Sequence, residues 1–113
     1  MIPPLMEEIR SRLDTLEYRE HALLRMTERA IHPRHLYEAL RSEEAEIIED
    51  YPDHFYGPCC LVLGWWEERR PLHVVITTSH PLTVISAWDP SVDPKQRWEA
   101  DFKTRRAPRG DQQ

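Results

Sequence analysis

Two hydrophobic periods follow one another along this chain. In the first half Leu5, Ile9, Leu13 and Leu16 recur three or four residues apart with charges between them, which predicts an amphipathic helix from Leu5 to Leu16. Tyr18 to Ile31 contains neither Gly nor Pro and sets Ala22, Leu23, Met26 and Ala30 on one arc, predicting a second helix with that arc toward the core. His32-Pro33 interrupts it. Pro33 suits the first position of a third helix that runs through Leu40, with Leu36, Ala39 and Leu40 on one side, and the acidic run from Ser42 to Glu46 ends it.

Beyond that point β-branched and aromatic runs take over, at Glu46 to Tyr51, Cys59 to Trp66, Leu72 to Thr78 and Leu82 to Trp88. The breaks at 67–71 and 79–81 are too short for crossover helices, so the last three strands form an antiparallel meander. Asp93-Pro94 offers a cap and a first-turn proline for a short C-terminal helix with Trp98 and Phe102 on one side. The expected fold class is α+β, with N-terminal helices packed on a four-stranded antiparallel sheet and a short C-terminal helix. Residues 1–106 make one domain, and 107–113 form a disordered tail.

Composition narrows the function classes. The length of 113 residues suits one core and one site. No apolar run reaches the roughly 20 residues that cross a bilayer. The start MIPPLMEEIR lacks the basic-then-apolar order of a signal peptide, so no membrane is expected and the protein is expected in the cytoplasm. The only cysteines, Cys59 and Cys60, are adjacent, which suits two strand thiols and neither a disulfide framework nor a CxxC metal pair. A formal charge of −5 argues against a surface that grips phosphates all over, so any nucleic-acid site is local.

His21, Arg25 and Arg29 stand at i, i+4 and i+8 and form a stripe roughly 80° wide beside the apolar arc. Two guanidiniums and an imidazole on one edge suit a phosphodiester and a proton transfer near neutral pH. The alternative is ordinary pairing with Glu17, Glu20 and Glu28 along the helix surface. His73 lies in the strand LHVVITT, where alternation puts it with Val75 and Thr77, opposite Leu72, Val74 and Ile76. Were His21 and His73 to converge, they would form an acid and base pair for phosphodiester cleavage; a lone strand histidine otherwise serves structure. His32, His35, His54 and His80 have no carboxylate or thiol at a metal-ligand spacing, and no Gly-rich loop marks a cofactor, so neither metal nor cofactor is expected. Trp65-Trp66 and Trp88 suit base stacking, partner anchoring or core filling. One of Trp65 and Trp66 should be exposed.

Taken together, EHALLRMTERAI, EAL…EIIEDYP, CLVLGWW, RPLHVVIT, VISAWDP, and then RW and a terminal RR resemble the domain of unknown function family numbered 4258, over about Glu20 to Arg106. The resemblance divides the domain into an N-terminal helical extension, 1–17, and a family-like core, 18–106. It implies a small bacterial or archaeal domain similar to RelE and MqsR-like toxins of the barnase, EndoU, colicin and RelE ribonuclease group, with a YgiT-type zinc-finger antitoxin as protein partner. His21, Arg25, Arg29 and His73 match the pattern as catalytic candidates, and Arg105, Arg106 and Trp88 as substrate-binding candidates. Trp88 in AWDP stands where the resemblance implies a tyrosine, keeping a ring and losing a hydroxyl. The function expected is that of a metal-independent endoribonuclease toxin acting on RNA. Arg25 and Arg29 would hold the phosphate, and His21 and His73 would act as base and acid, leaving a 2′,3′-cyclic phosphate and a 5′-hydroxyl. A non-catalytic protein-interaction module is the alternative, and a small-ligand sensor a third.

Overall fold

The helical periods become three short helices, and the β-branched runs become strands of one sheet. A computed structural model describes residues 4–106, in the order α1 (Pro4–Ser11), a 3-10 turn (Leu13–Thr15), β1 (Glu17–Tyr18), α2 (Glu20–Glu28), α3 (Pro33–Arg41), β2 (Glu46–Tyr51), β3 (Cys59–Trp66), β4 (Arg70–Thr77), β5 (Thr83–Trp88) and a second 3-10 turn (Pro90–Val92). The disordered tail expected at 107–113 lies outside the described residues. No helix among the described residues is long and apolar enough to cross a membrane.

The sheet corrects the expected four-stranded antiparallel architecture. It has five strands in the order β1-β5-β4-β3-β2, and β1 runs parallel to β5 with Glu17 opposite Thr83 and Tyr18 opposite Val84. The two residues of β1 are too few to show a period, so the sequence merges them into the ends of two helices. The meander β3-β4-β5 is antiparallel as expected, and β2 extends it on the other edge. The C-terminal helix is a second correction. Asp93 does accept the backbone N–H groups of Lys95 (2.9 Å) and Arg97 (3.1 Å), as an N-cap does. Gln96 then adopts φ +48°, and the chain leaves the helical region. Residues 93–106 form instead a looped strap closed by a bridge between Trp98 and Arg105.

Helix α2 also ends earlier than its apolar arc suggests. Ala30 takes a left-handed φ of +59°, while Ile31 N–H bonds the Met26 carbonyl (2.8 Å) and Ala30 N–H that of Thr27 (3.1 Å), a Schellman closure with alanine where glycine is usual. Only Ala22 and Met26 of that arc are buried.

Both sheet faces are covered. On one, α1, α2 and α3 bury Met6, Ile9, Met26, Leu36 and Leu40 against Val62, Val74, Ile76 and Val84. Met6 and Ile9 are 1% and 0% exposed, so α1 is part of this core; full burial of such side chains contributes about 1.5–3 kcal/mol each. On the outer face, where none of the described helices lies, Cys59, Leu61 and Val75 are covered by Trp98, with Ile48, Tyr51, Ile85, Trp88 and Phe102 around them. Both cysteines are buried and free, and burial raises both thiols, Cys60 to about 12. Trp66 is buried toward the helices and Trp65 is half-buried outside, with its ring edge-on to Phe102 at 6.4 Å.

Candidate functional site

Strand β2 shifts register between Ile47 and Glu49, and this extra residue breaks the simple alternation. Ile47 packs toward the helices, whereas Ile48 and Tyr51 pack against the outer cluster. Glu49 and Tyr51 are two apart after the irregularity, share one face, and the Tyr51 hydroxyl donates to the Glu49 carboxylate. From the strap, Arg105 reaches the same carboxylate with two donors, Nε to Oε2 at 2.7 Å and Nη2 to Oε1 at 2.9 Å, while its guanidinium lies 4.5 Å above the Trp98 ring. Such a fork aligns both partners and is stronger than a neutral hydrogen bond.

The electrostatics follow from these contacts. The Arg105 hydrogen bonds hold the Glu49 carboxyl below the usual carboxylate range, against a smaller opposing effect of burial. Burial, with Glu49 beside it, pushes the Tyr51 phenol up to about 12, and Glu49 also raises the Arg105 guanidinium. Tyr51 and Arg105 line a shallow groove of about 480 Å³ with Asp50, Pro52, Asp53 and His54.

His73 lies on the same face, fully buried under the strap. Its ring stands nearly perpendicular to Trp98 (4.5 Å) and Trp88 (5.5 Å). Nε2 lies 2.7 Å from the Phe102 carbonyl oxygen, so Nε2 carries the hydrogen and donates, and Nδ1 is left buried without a partner. Burial pushes the imidazole below its ordinary value of 6.5, although the Phe102 carbonyl and the nearby Glu49 favour its charged form.

The expected catalytic quartet does not meet in one groove. His21 and Arg25 are exposed on α2, which packs on the other face of the sheet from His73; Arg25 Nε is 3.4 Å from His21 Nε2 and its Nη1 is 3.5 Å from Glu28. Arg29 Nη1 donates to the Ala87 carbonyl at 2.7 Å, on the β5 edge beyond the two residues that β1 covers. His73 is separated from all three by the sheet. Of the substrate-binding candidates, Trp88 and Arg105 are on the His73 face, and Arg106 Nε donates to the Trp98 carbonyl at 3.0 Å within the strap.

Glu49 and Tyr51 are candidate site residues absent from those expected from the sequence, where they fall within the strand Glu46 to Tyr51. The available signal was the spacing itself: a carboxylate and a phenol two apart in EIIEDY share a face. Among the described residues no three His, Cys, Asp or Glu side chains converge as a metal site would require.

What this arrangement can do chemically depends on one exchange. A phosphate entering the groove competes for the Arg105 fork; as the guanidinium turns to it, Glu49 loses the partner that holds it acidic and becomes a better proton acceptor next to the bound anion. Residues 18–89 match the model of the family described as Domain of unknown function (DUF4258), and the chain belongs to that family. No curated protein and no solved structure matches the chain.

Proposed function

Starting from membership in a family whose description assigns no chemistry, we propose that the outer face carries a metal-independent endoribonuclease. The observation that supports it is the Glu49, Tyr51 and Arg105 cluster: a base, an acid and a phosphate fork hydrogen-bonded together, with Tyr51 and Arg105 lining an open groove. Glu49 takes the proton of a ribose 2′-hydroxyl, O2′ bonds to the adjacent phosphorus, and the bond from phosphorus to O5′ breaks. Arg105 balances the charge that builds on the phosphoryl oxygens. Tyr51, even at about 12, is more acidic than the leaving alkoxide's conjugate acid, whose pKa is near that of water at about 16, and it supplies the proton for O5′. The products are a 2′,3′-cyclic phosphate and a 5′-hydroxyl. His73 positions: its bond to the Phe102 carbonyl fixes the strap that carries Arg105. The helix stripe of His21, Arg25 and Arg29 takes no part in the chemistry. In a cell such a toxin would be kept silent by a protein antitoxin, for which the family resemblance suggests the YgiT zinc-finger type.

Incubation of single-stranded RNA with the purified chain, followed by analysis of the product ends, tests this. Wild type should yield cyclic phosphate ends, Glu49→Gln should lose about 10²- to 10⁴-fold in rate, and His21→Ala should cleave as wild type does. Cleavage lost in His21→Ala and kept in Glu49→Gln would move the chemistry to α2; intact RNA with folded wild type would remove it altogether.

The second reading, a non-catalytic interaction module, is favoured by one observation. Glu49 already neutralises Arg105 through two hydrogen bonds, as a finished structural ion pair does. Growth arrest on expression, with RNA ends as the readout, separates the two readings.

A further inference from the structure

The loop between β2 and β3 holds Phe55 90% exposed. Isolated exposed apolar residues are common, so exposure alone decides nothing. The ring row around it is the informative feature. The ring of Tyr51 is 6.4 Å from that of His54, His54 stacks with Tyr56 at 5.8 Å and 29°, Phe55 stands edge-on to Tyr56 at 5.0 Å, and the Arg19 guanidinium sits 3.8 Å over the Tyr56 ring. The backbone fixes this row without burial: His54 Nδ1 accepts the Tyr56 N–H at 3.1 Å, and the His54 carbonyl accepts the Gly57 N–H at 2.9 Å. One end of the row is Tyr51 of the Glu49 and Arg105 cluster, and Tyr51 and His54 both line the groove.

We infer that Phe55, Tyr56 and His54 form a stacking track for the unpaired bases of a single-stranded RNA, adjoining the point of cleavage; this rests on the ribonuclease reading above. The exposed Phe55 ring offers faces that recognise bases regardless of sequence, and Tyr56, held by the Arg19 guanidinium over its ring and by His54 stacked with it, supports Phe55 edge-on. A duplex hides its base faces and is refused. Charge sets how such a strand would be held. Among the described residues Asp50 and Asp53 line the groove against the single cation Arg105, and the chain carries −5 overall, so affinity comes from ring faces more than from phosphates and falls gently with salt.

Fluorescence anisotropy with the full chain and a labelled single-stranded DNA tests the track, because DNA lacks the 2′-hydroxyl and reports binding whether or not RNA is cut. Wild type should bind the single strand and not the same sequence as a duplex. Phe55→Ala and Tyr56→Ala should each weaken binding roughly tenfold or more. Phe55→Leu, which keeps apolar bulk, should be as weak as Phe55→Ala, and Phe55→Trp should bind as wild type does. An unchanged thermal midpoint in Phe55→Ala confirms the fold. Ring-dependent binding together with uncut RNA would keep the track and remove the nuclease. No binding by wild type, as expected if the rings seat a protein partner, or equal binding by Phe55→Leu, would overturn the track whatever the cleavage assay gives.

Discussion

His73 is a buried imidazole with one nitrogen bonded and the other without a partner. Burial lowers its pKa below 6.5, so the unfolded chain takes up a proton at a pH where the folded chain does not. Its contribution to stability is therefore full above 6.5 and is lost as pH falls through the folded value. Thermal midpoints measured from about pH 7.5 to 5 should fall more steeply for wild type than for His73→Gln; parallel curves would show that His73 does not titrate on unfolding. The residue's face was legible in the sequence. Alternation sets it opposite Leu72, Val74 and Ile76, and if those face the helices, His73 faces away from His21. Its cover is not legible there, because the cap signal at Asp93 predicts a helix where the strap supplies Trp98 and the Phe102 carbonyl. Glu49 and Tyr51 share a face through strand spacing, but their meeting with Arg105 depends on where the strap lies, which no local pattern encodes.

Helix α3 is seated by a close contact that depends on a small residue in the sheet. A Cβ added to Gly64 on β3 would stand 2.4 Å from the Ala39 carbonyl oxygen of α3, whereas one added to Gly57, at φ +95°, would meet nothing within 4 Å. Gly64→Ala should lower stability by about 1–3 kcal/mol or more through the forced retreat of α3, and Gly57→Ala by only about 1 kcal/mol through its backbone conformation. Urea midpoints check this; equal losses would show that α3 moves aside freely. Elements with a sustained period were the readable ones: β2 and β3 begin and end where their β-branched and aromatic runs do. The strap shows the opposite case. The cap signal at Asp93 is genuine, and its hydrogen bonds form, but Gln96 turns the chain because Trp98 and Phe102 gain more by covering the outer face than a short helix gains in water.

At the scale of the whole fold the sheet is a partition, with a helix layer on one side and, among the described residues, the strap on the other. A chain stopped after Asp93 loses Trp98, Phe102 and Arg105 together and uncovers His73 and Leu61. Such a chain should keep its far-ultraviolet circular dichroism, bind a hydrophobic dye more strongly and unfold at a lower temperature; unchanged dye binding would mean that the strap is not packed on the sheet. At this scale the sequence conveyed the layers and the meander, and could not convey β1, since pairing between the first and last strands leaves no local trace. That pairing also has a meaning in time. Glu17 and Tyr18 are made well before Thr83 and Val84 and must wait for them before their backbone groups are met. Until then α2, which packs chiefly on β5, holds its apolar side uncovered, while α3 can already settle on β3. The parallel edge of the sheet thus closes only through a pairing distant in sequence, and such pairings form late and leave apolar surface open to aggregation until they do.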